Sequence, residues 1–218
     1  MMKQLIAILL IAVSMSLFSA EKYAVLIAGD YEVTGVPTDA QWNTGTDKPN
    51  TEFWNDLYLQ WEMLYEKGYK KENIKVLFAK GTDLWLNPDY QYIDKRYKAE
   101  NATFNIGETI TNYAATEANV EAVCAELGSK MEYGEDFLYV WVMSHSTISG
   151  LYLMKDDLTG SRYVSYSTFA DYFKPLNALN KVYLLSMNGA QALETQLQQD
   201  NAKFITSKES VGVEINNK

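Results

Sequence analysis

One imidazole, His145, and one thiol, Cys124, are all that 218 residues supply for proton transfer near neutral pH or for thiolate attack. His145 stands in VWVMSHSTISG, directly after an apolar run and between two serines. It is therefore expected at a strand end, where a neutral ring can accept or deliver a proton. Cys124 belongs to the series Val120, Val123, Cys124, Leu127, Met131, whose helical spacing assigns it to a buried stripe where a thiol is inert. A second strand end, in KVYLLSMNGAQAL, carries Asn188-Gly189 where many α/β enzymes place a nucleophile. A carboxamide neither ionises to an attacking anion nor forms a thioester. Ser186, two residues earlier on the same side of that strand, offers a hydroxyl set back by one pleat, roughly 6 to 7 Å.

The elements that must position these residues can be read along the chain. KYAVLIAG (22–29), IKVLFAKG (74–81), DFLYVWVMSHS (136–146), 181–186 and AKFITS (202–207) are apolar runs expected to be strands, the first of them covered on both faces. Phe53, Trp54, Leu57, Trp61, Leu64 and Tyr65 share one helical face that stops at Gly68. Strand, helix and strand in series predict a right-handed parallel unit. Thr116 is the expected N-cap of a second helix, 165–173 reads as a third, and a fourth is expected around 193–199. Residues 150–154 suggest a short strand or hairpin. The stretch from Thr82 to Ala115 shows no clear period, a length that suits either a functional loop or an ordinary surface excursion. Within it, Asn101-Ala102-Thr103 is a glycosylation sequon only in a eukaryotic secretory pathway.

Composition bounds what these elements can build. A chain that is 47% hydrophobic and 13% aromatic suffices for one sizeable core. Residues 1–20, with Lys3 as their only charge, an apolar run from Leu5 to Val13 and a small-residue end at Ala20, have the form of a secretory signal peptide. Residues 21–218 are then one domain, exported to a periplasmic, extracellular or luminal space, with no stable membrane span once the leader is cleaved. The net charge of −9 argues against nucleic acid as a partner. A single Cys excludes internal disulfides, and one Cys with one His cannot build a thiolate–imidazole metal centre, so neither metal nor cofactor is expected.

The order of these parts resembles the legumain-type cysteine peptidases, relatives of the caspases. In that family one strand ends in His-Gly and a later one in Glu-Ala-Cys-Glu-Ser-Gly; SHS (144–146) and LSMNGAQA (185–192) hold the two places here. YAVLIAG (23–29) is similar to the family's first strand. TEANVEAV (116–123) resembles Thr-Pro-Gln-Asn-Phe-Leu-Ala-Val, and KGYKKENIKVL (67–77) resembles Asn-Gly-Ile-Pro-Asp-Glu-Gln-Ile-Val-Val.

The resemblance implies an α/β, three-layer caspase-hemoglobinase fold with a mostly parallel sheet and helices on both faces. It also implies a set of roles. His145 would be the catalytic base, Asn50 the residue that orients it, and the Ser146 amide an oxyanion donor. Asn188 would stand, degenerate, in the nucleophile slot. Glu52-Phe53 replaces the family's substrate-binding Arg-His pair, so a preference for Asn at the cleavage point is not inherited. The chain ends at Lys218, before the family's last strand, which suggests C-terminal truncation. The leading expectation is an inactive peptidase homologue that keeps a cleft for a peptide or protein ligand. The alternative is an active peptide or amide hydrolase using His145 with Ser186 or another nucleophile. A plainer reading makes Asn188-Gly189 only a tight turn.

Overall fold

The computed structural model describes residues 20–29, 51–86, 109–131, 134–154 and 163–206, with the side chains at 51, 52 and 85 outside that description. Asn50, the sequon and residues 1–19 and 207–218 lie outside the described residues.

Five strands form one parallel sheet. They are β1 (Lys22–Ala28), β2 (Ile74–Phe78), β3 (Phe137–Met143), β6 (Asn180–Ser186) and β7 (Ala202–Thr206), in the spatial order β2-β1-β3-β6-β7. A second, antiparallel pair joins β4 (Gly150–Tyr152) to β5 (Tyr163–Ser165). Two apolar clusters lie on opposite faces of the main sheet, which makes a three-layer α/β fold.

One face carries α1 (Thr51–Glu66). Ala24 and Ala28 of β1 are small, and the same cluster holds Trp54, Trp61, Tyr58 and Phe78, all essentially without solvent contact. Trp54 packs edge-on against Phe78 with ring centroids 5.0 Å apart. The helix ends because Gly68 adopts φ 80°, open to glycine at little cost, while Gly68 N–H bonds the Tyr65 carbonyl and Tyr69 N–H the Leu64 carbonyl.

The other face is covered by α2 (Glu117–Lys130), α3 (Tyr166–Phe173) and α4 (Ala190–Leu197). Thr116 caps α2 by accepting from Asn119 N–H at 3.3 Å, and Ser165 caps α3 by accepting from Thr168 N–H at 3.1 Å. Cys124 faces this core at 4% exposure, and burial raises its thiol far above the ordinary range. The fourth helix begins earlier than its apolar spacing suggests, because the Gly189 carbonyl already accepts from Ala192 and Leu193 N–H.

The aperiodic stretch after β2 has a structural role in its described part. Asp83, fully buried, accepts the N–H groups of Ile110 and Thr111, and Asn112 and Tyr113 hydrogen-bond along β2. The outer edge of β2 is thereby covered.

At the opposite end of the sheet from the β3 and β6 carboxyl termini, Lys181 is only 1% exposed. Its ammonium donates to the Phe173 and Lys174 carbonyls at the end of α3 and to Gln199 Oε1. Desolvation lowers its pKa from 10.5 to about 8. Between those two values the unfolded chain holds a proton that the folded chain has released, so this group's contribution to stability increases as pH rises through that window. Denaturant unfolding of the parent and of Lys181→Met at neutral and at mildly alkaline pH should show the parent gaining on the variant as pH rises.

Candidate functional site

The pairing of β3 with β6 is in register from Phe137↔Asn180 to Met143↔Ser186. Residues 145 and 188 therefore both stand two positions beyond the last pair, at the carboxyl ends of neighbouring parallel strands. Alternation along β3 puts Phe137, Tyr139, Trp141 and Met143 on the α1 face, and along β6 it puts Val182 and Leu184 there. His145 continues the β3 series. Its ring lies 5.6 Å, centroid to centroid, from Phe53 in the first turn of α1. Phe53 is itself a core residue, 7% exposed, so its place is beside the imidazole rather than open to solvent.

The chain around His145 is held by its own main-chain bonds. Tyr152 N–H donates to the His145 carbonyl at 2.9 Å, Thr147 N–H to the Gly150 carbonyl at 2.8 Å, and Tyr166 N–H to the Ser149 carbonyl at 3.0 Å. The Ser144 hydroxyl donates to the Tyr152 carbonyl. The end of β1 closes in as well, with Gly29 N–H donating to the Met143 carbonyl at 2.9 Å. A Cβ on Gly29 would lie 2.4 Å from Ser144 Oγ, so only glycine lets this strand end approach. His145 is half-buried, and β4, paired with β5, bridges to its loop at Ser146↔Leu151.

Asn188 is exposed. It occupies the second position of a turn in which Ala190 N–H donates to the Met187 carbonyl at 3.2 Å. Gly189 has φ −89° and ψ 16°, which suits the third position of a type I turn and is open to any residue. Glycine is required there for a different reason. A Cβ would lie 1.5 Å from the Tyr166 hydroxyl oxygen and 2.7 Å from the Thr147 carbonyl.

That close approach makes room for two hydrogen bonds across the strand ends. Gly189 N–H donates to Ser146 Oγ at 3.0 Å, and the Tyr166 hydroxyl donates to the Thr147 carbonyl at 2.6 Å. Burial pushes the Tyr166 phenol above its usual range, opposed by the nearby Ser146 hydroxyl.

The structure thus brings His145, Ser146, Phe53, Ser186 and Asn188 to one end of the sheet. Ser186 is the last residue of β6, half-buried and one pleat behind Asn188. The side chain of Glu52 and all of Asn50 lie outside the described residues. Two contributions escaped sequence reading: the Ser146 side chain, whose hydroxyl holds Gly189, and Tyr166, which lies on another helix. Nothing in the sequence marks Tyr166 except its place on the apolar side of a short helix. Among the described residues no group of three or more His, Cys, Asp or Glu is placed to hold a metal ion, and no helix is long and apolar enough to cross a membrane.

No protein-family model matches the chain, and no curated protein matches it significantly.

Gly189→Ala tests the close approach. The added methyl should cost about 1–3 kcal/mol through overpacking against Tyr166. In thermal unfolding, Tyr166→Phe combined with Gly189→Ala should lose less than the sum of the two single variants, because the phenol oxygen is the nearest colliding atom.

Proposed function

We propose that this chain is an exported, non-hydrolytic homologue of the legumain-type cysteine peptidases that binds a peptide or a protein segment at the carboxyl ends of β3 and β6. The observation that carries the reading is the in-register pairing that ends at Met143↔Ser186. It sets the imidazole of His145 and the carboxamide of Asn188 on adjacent strands at one sheet end, the placement that the family resemblance requires of a base and a nucleophile.

The chemistry of the pair supports binding rather than turnover. His145 can exchange a proton, but Asn188 has no group that attacks a carbonyl. Cys124 cannot replace it, since it is sequestered between α2 and the sheet. Asn188 offers both an acceptor and two donors from an exposed position, which suits hydrogen bonding to the backbone of an extended ligand. Of the residues that stand at the family's substrate-binding pair and His-orienting position, Phe53 is a core residue beside His145, and the side chains of Glu52 and Asn50 lie outside the described residues, so no preference for a particular side chain is assigned.

Installing the missing nucleophile is the direct test. Asn188→Cys should gain hydrolysis of fluorogenic peptides, and that gain should vanish in Asn188→Cys/His145→Ala. The parent chain should show no turnover in the same assay. Parent turnover abolished by His145→Ala would overturn the non-hydrolytic reading in favour of an active hydrolase using Ser186.

A further inference from the structure

The Asn188–Gly189 peptide has a chemistry of its own that does not depend on any peptidase ancestry. Asn188 is the only asparagine in the sequence followed by glycine. An asparagine side chain and the next backbone nitrogen are held within one short segment, so attack of that nitrogen on the side-chain amide is an intramolecular reaction favoured by proximity. The usual obstacle is the next residue's side chain, and glycine has none. Here the asparagine is also exposed and sits in a turn, where water reaches it.

We propose that Asn188–Gly189 is a self-modification site, at which the Gly189 nitrogen attacks Asn188 Cγ and converts the carboxamide to a carboxylate. The Gly189 N–Cγ bond forms and the Cγ–Nδ2 bond breaks. The nitrogen's proton passes to solvent base and the side-chain nitrogen leaves as ammonia. Water then opens the five-membered imide at either carbonyl, giving aspartate or isoaspartate. The net reaction consumes one water and releases one ammonia, and no oxidant or reductant is involved.

Two features of the fold bear on this step. Gly189 cannot be exchanged for a bulkier, protective residue, because any Cβ would collide with the Tyr166 hydroxyl. The glycine half of the reactive dipeptide is thus a structural requirement. The same network also restrains it. Gly189 N–H is committed to Ser146 Oγ at 3.0 Å, and that bond must break before the nitrogen can give up its proton to solvent base and attack Cγ. Ser146 therefore acts as a brake on the rate.

The product differs from the parent where it matters. A carboxylate at 188 sits immediately before α4, where the helix N-terminus favours negative charge. It also places an anion at the sheet end that carries His145. The isoaspartate product instead lengthens the backbone at the turn that begins α4.

Full-length protein incubated at mildly alkaline pH in water labelled with heavy oxygen, then digested and mapped by mass spectrometry, tests the proposal. One heavy oxygen should enter at residue 188 several-fold faster than at Asn180 or Asn201, with both aspartate and isoaspartate formed. Asn188→Gln should abolish incorporation at that site. Ser146→Ala should accelerate it several-fold, and parent chain unfolded in urea should set the unrestrained rate. Equal labelling across asparagines, or aspartate without isoaspartate, would overturn attack by Gly189. A Ser146→Ala rate equal to that of the parent would overturn the brake.

Discussion

The parallel ladder between β3 and β6 is the constraint on which the rest of the structure depends. Both strands lie inside the sheet, β3 between β1 and β6, and β6 between β3 and β7. Side chains on each strand alternate between two separately packed cores. A slip of one residue would send Leu138, Val140 and Val142 to the α1 side and Tyr139 and Trp141 to the other, against helices shaped for different volumes. The register is therefore fixed by packing on both faces at once. Because His145 and Asn188 lie only two residues past its last pair, their neighbourhood follows from it.

Packing brings the two strand ends together, and the polar network beyond them fixes their detail. Gly189, Ser146, Tyr166 and Thr147 come from the start of α4, the loop after β3 and the first turn of α3. Their bonds satisfy a backbone N–H, two hydroxyls and a carbonyl in a half-buried place, where an unmade bond costs about 1–3 kcal/mol. The absence of a side chain at 189 is what lets the parts meet. The same absence leaves the Asn188 amide open to the neighbouring nitrogen, so one glycine serves the packing and exposes the chemistry.

The two ends of the sheet are built differently. At the amino end, Glu21 N–H donates to Asp136 Oδ1, the Glu21 carboxylate meets Lys70 and Asn73, and Lys181 is held by the end of α3. These contacts tie the strand starts to the neighbouring elements. At the carboxyl end, exposed Asn188 and half-buried His145 stand over a supported floor. The accessible polar groups of the site gather at the carboxyl end, where parallel α/β sheets place their ligands.

Much of this was legible in the residues themselves. Continuous apolar runs such as YAVLIA mark strands covered on both faces, Thr116 and Ser165 mark helix starts, and the spacing around Cys124 marks a buried stripe, because each signal is local and repeats with the period of its element. The strand ends bearing His145 and Asn188 could be named for the same reason. Their adjacency was implied by the family resemblance alone and not by local pattern, since strand order depends on which apolar faces pack best across the whole chain. The meeting of Gly189 with Tyr166 and Ser146 was equally hidden, as it joins residues 23 and 43 positions apart through a close approach that only a missing Cβ allows. Sequence alone determined the five main strands, the helices and the residue types at their ends, while β5 emerges only through its pairing with β4. Tertiary packing decided which ends meet, because burial on two faces selects one register among many that local pattern allows.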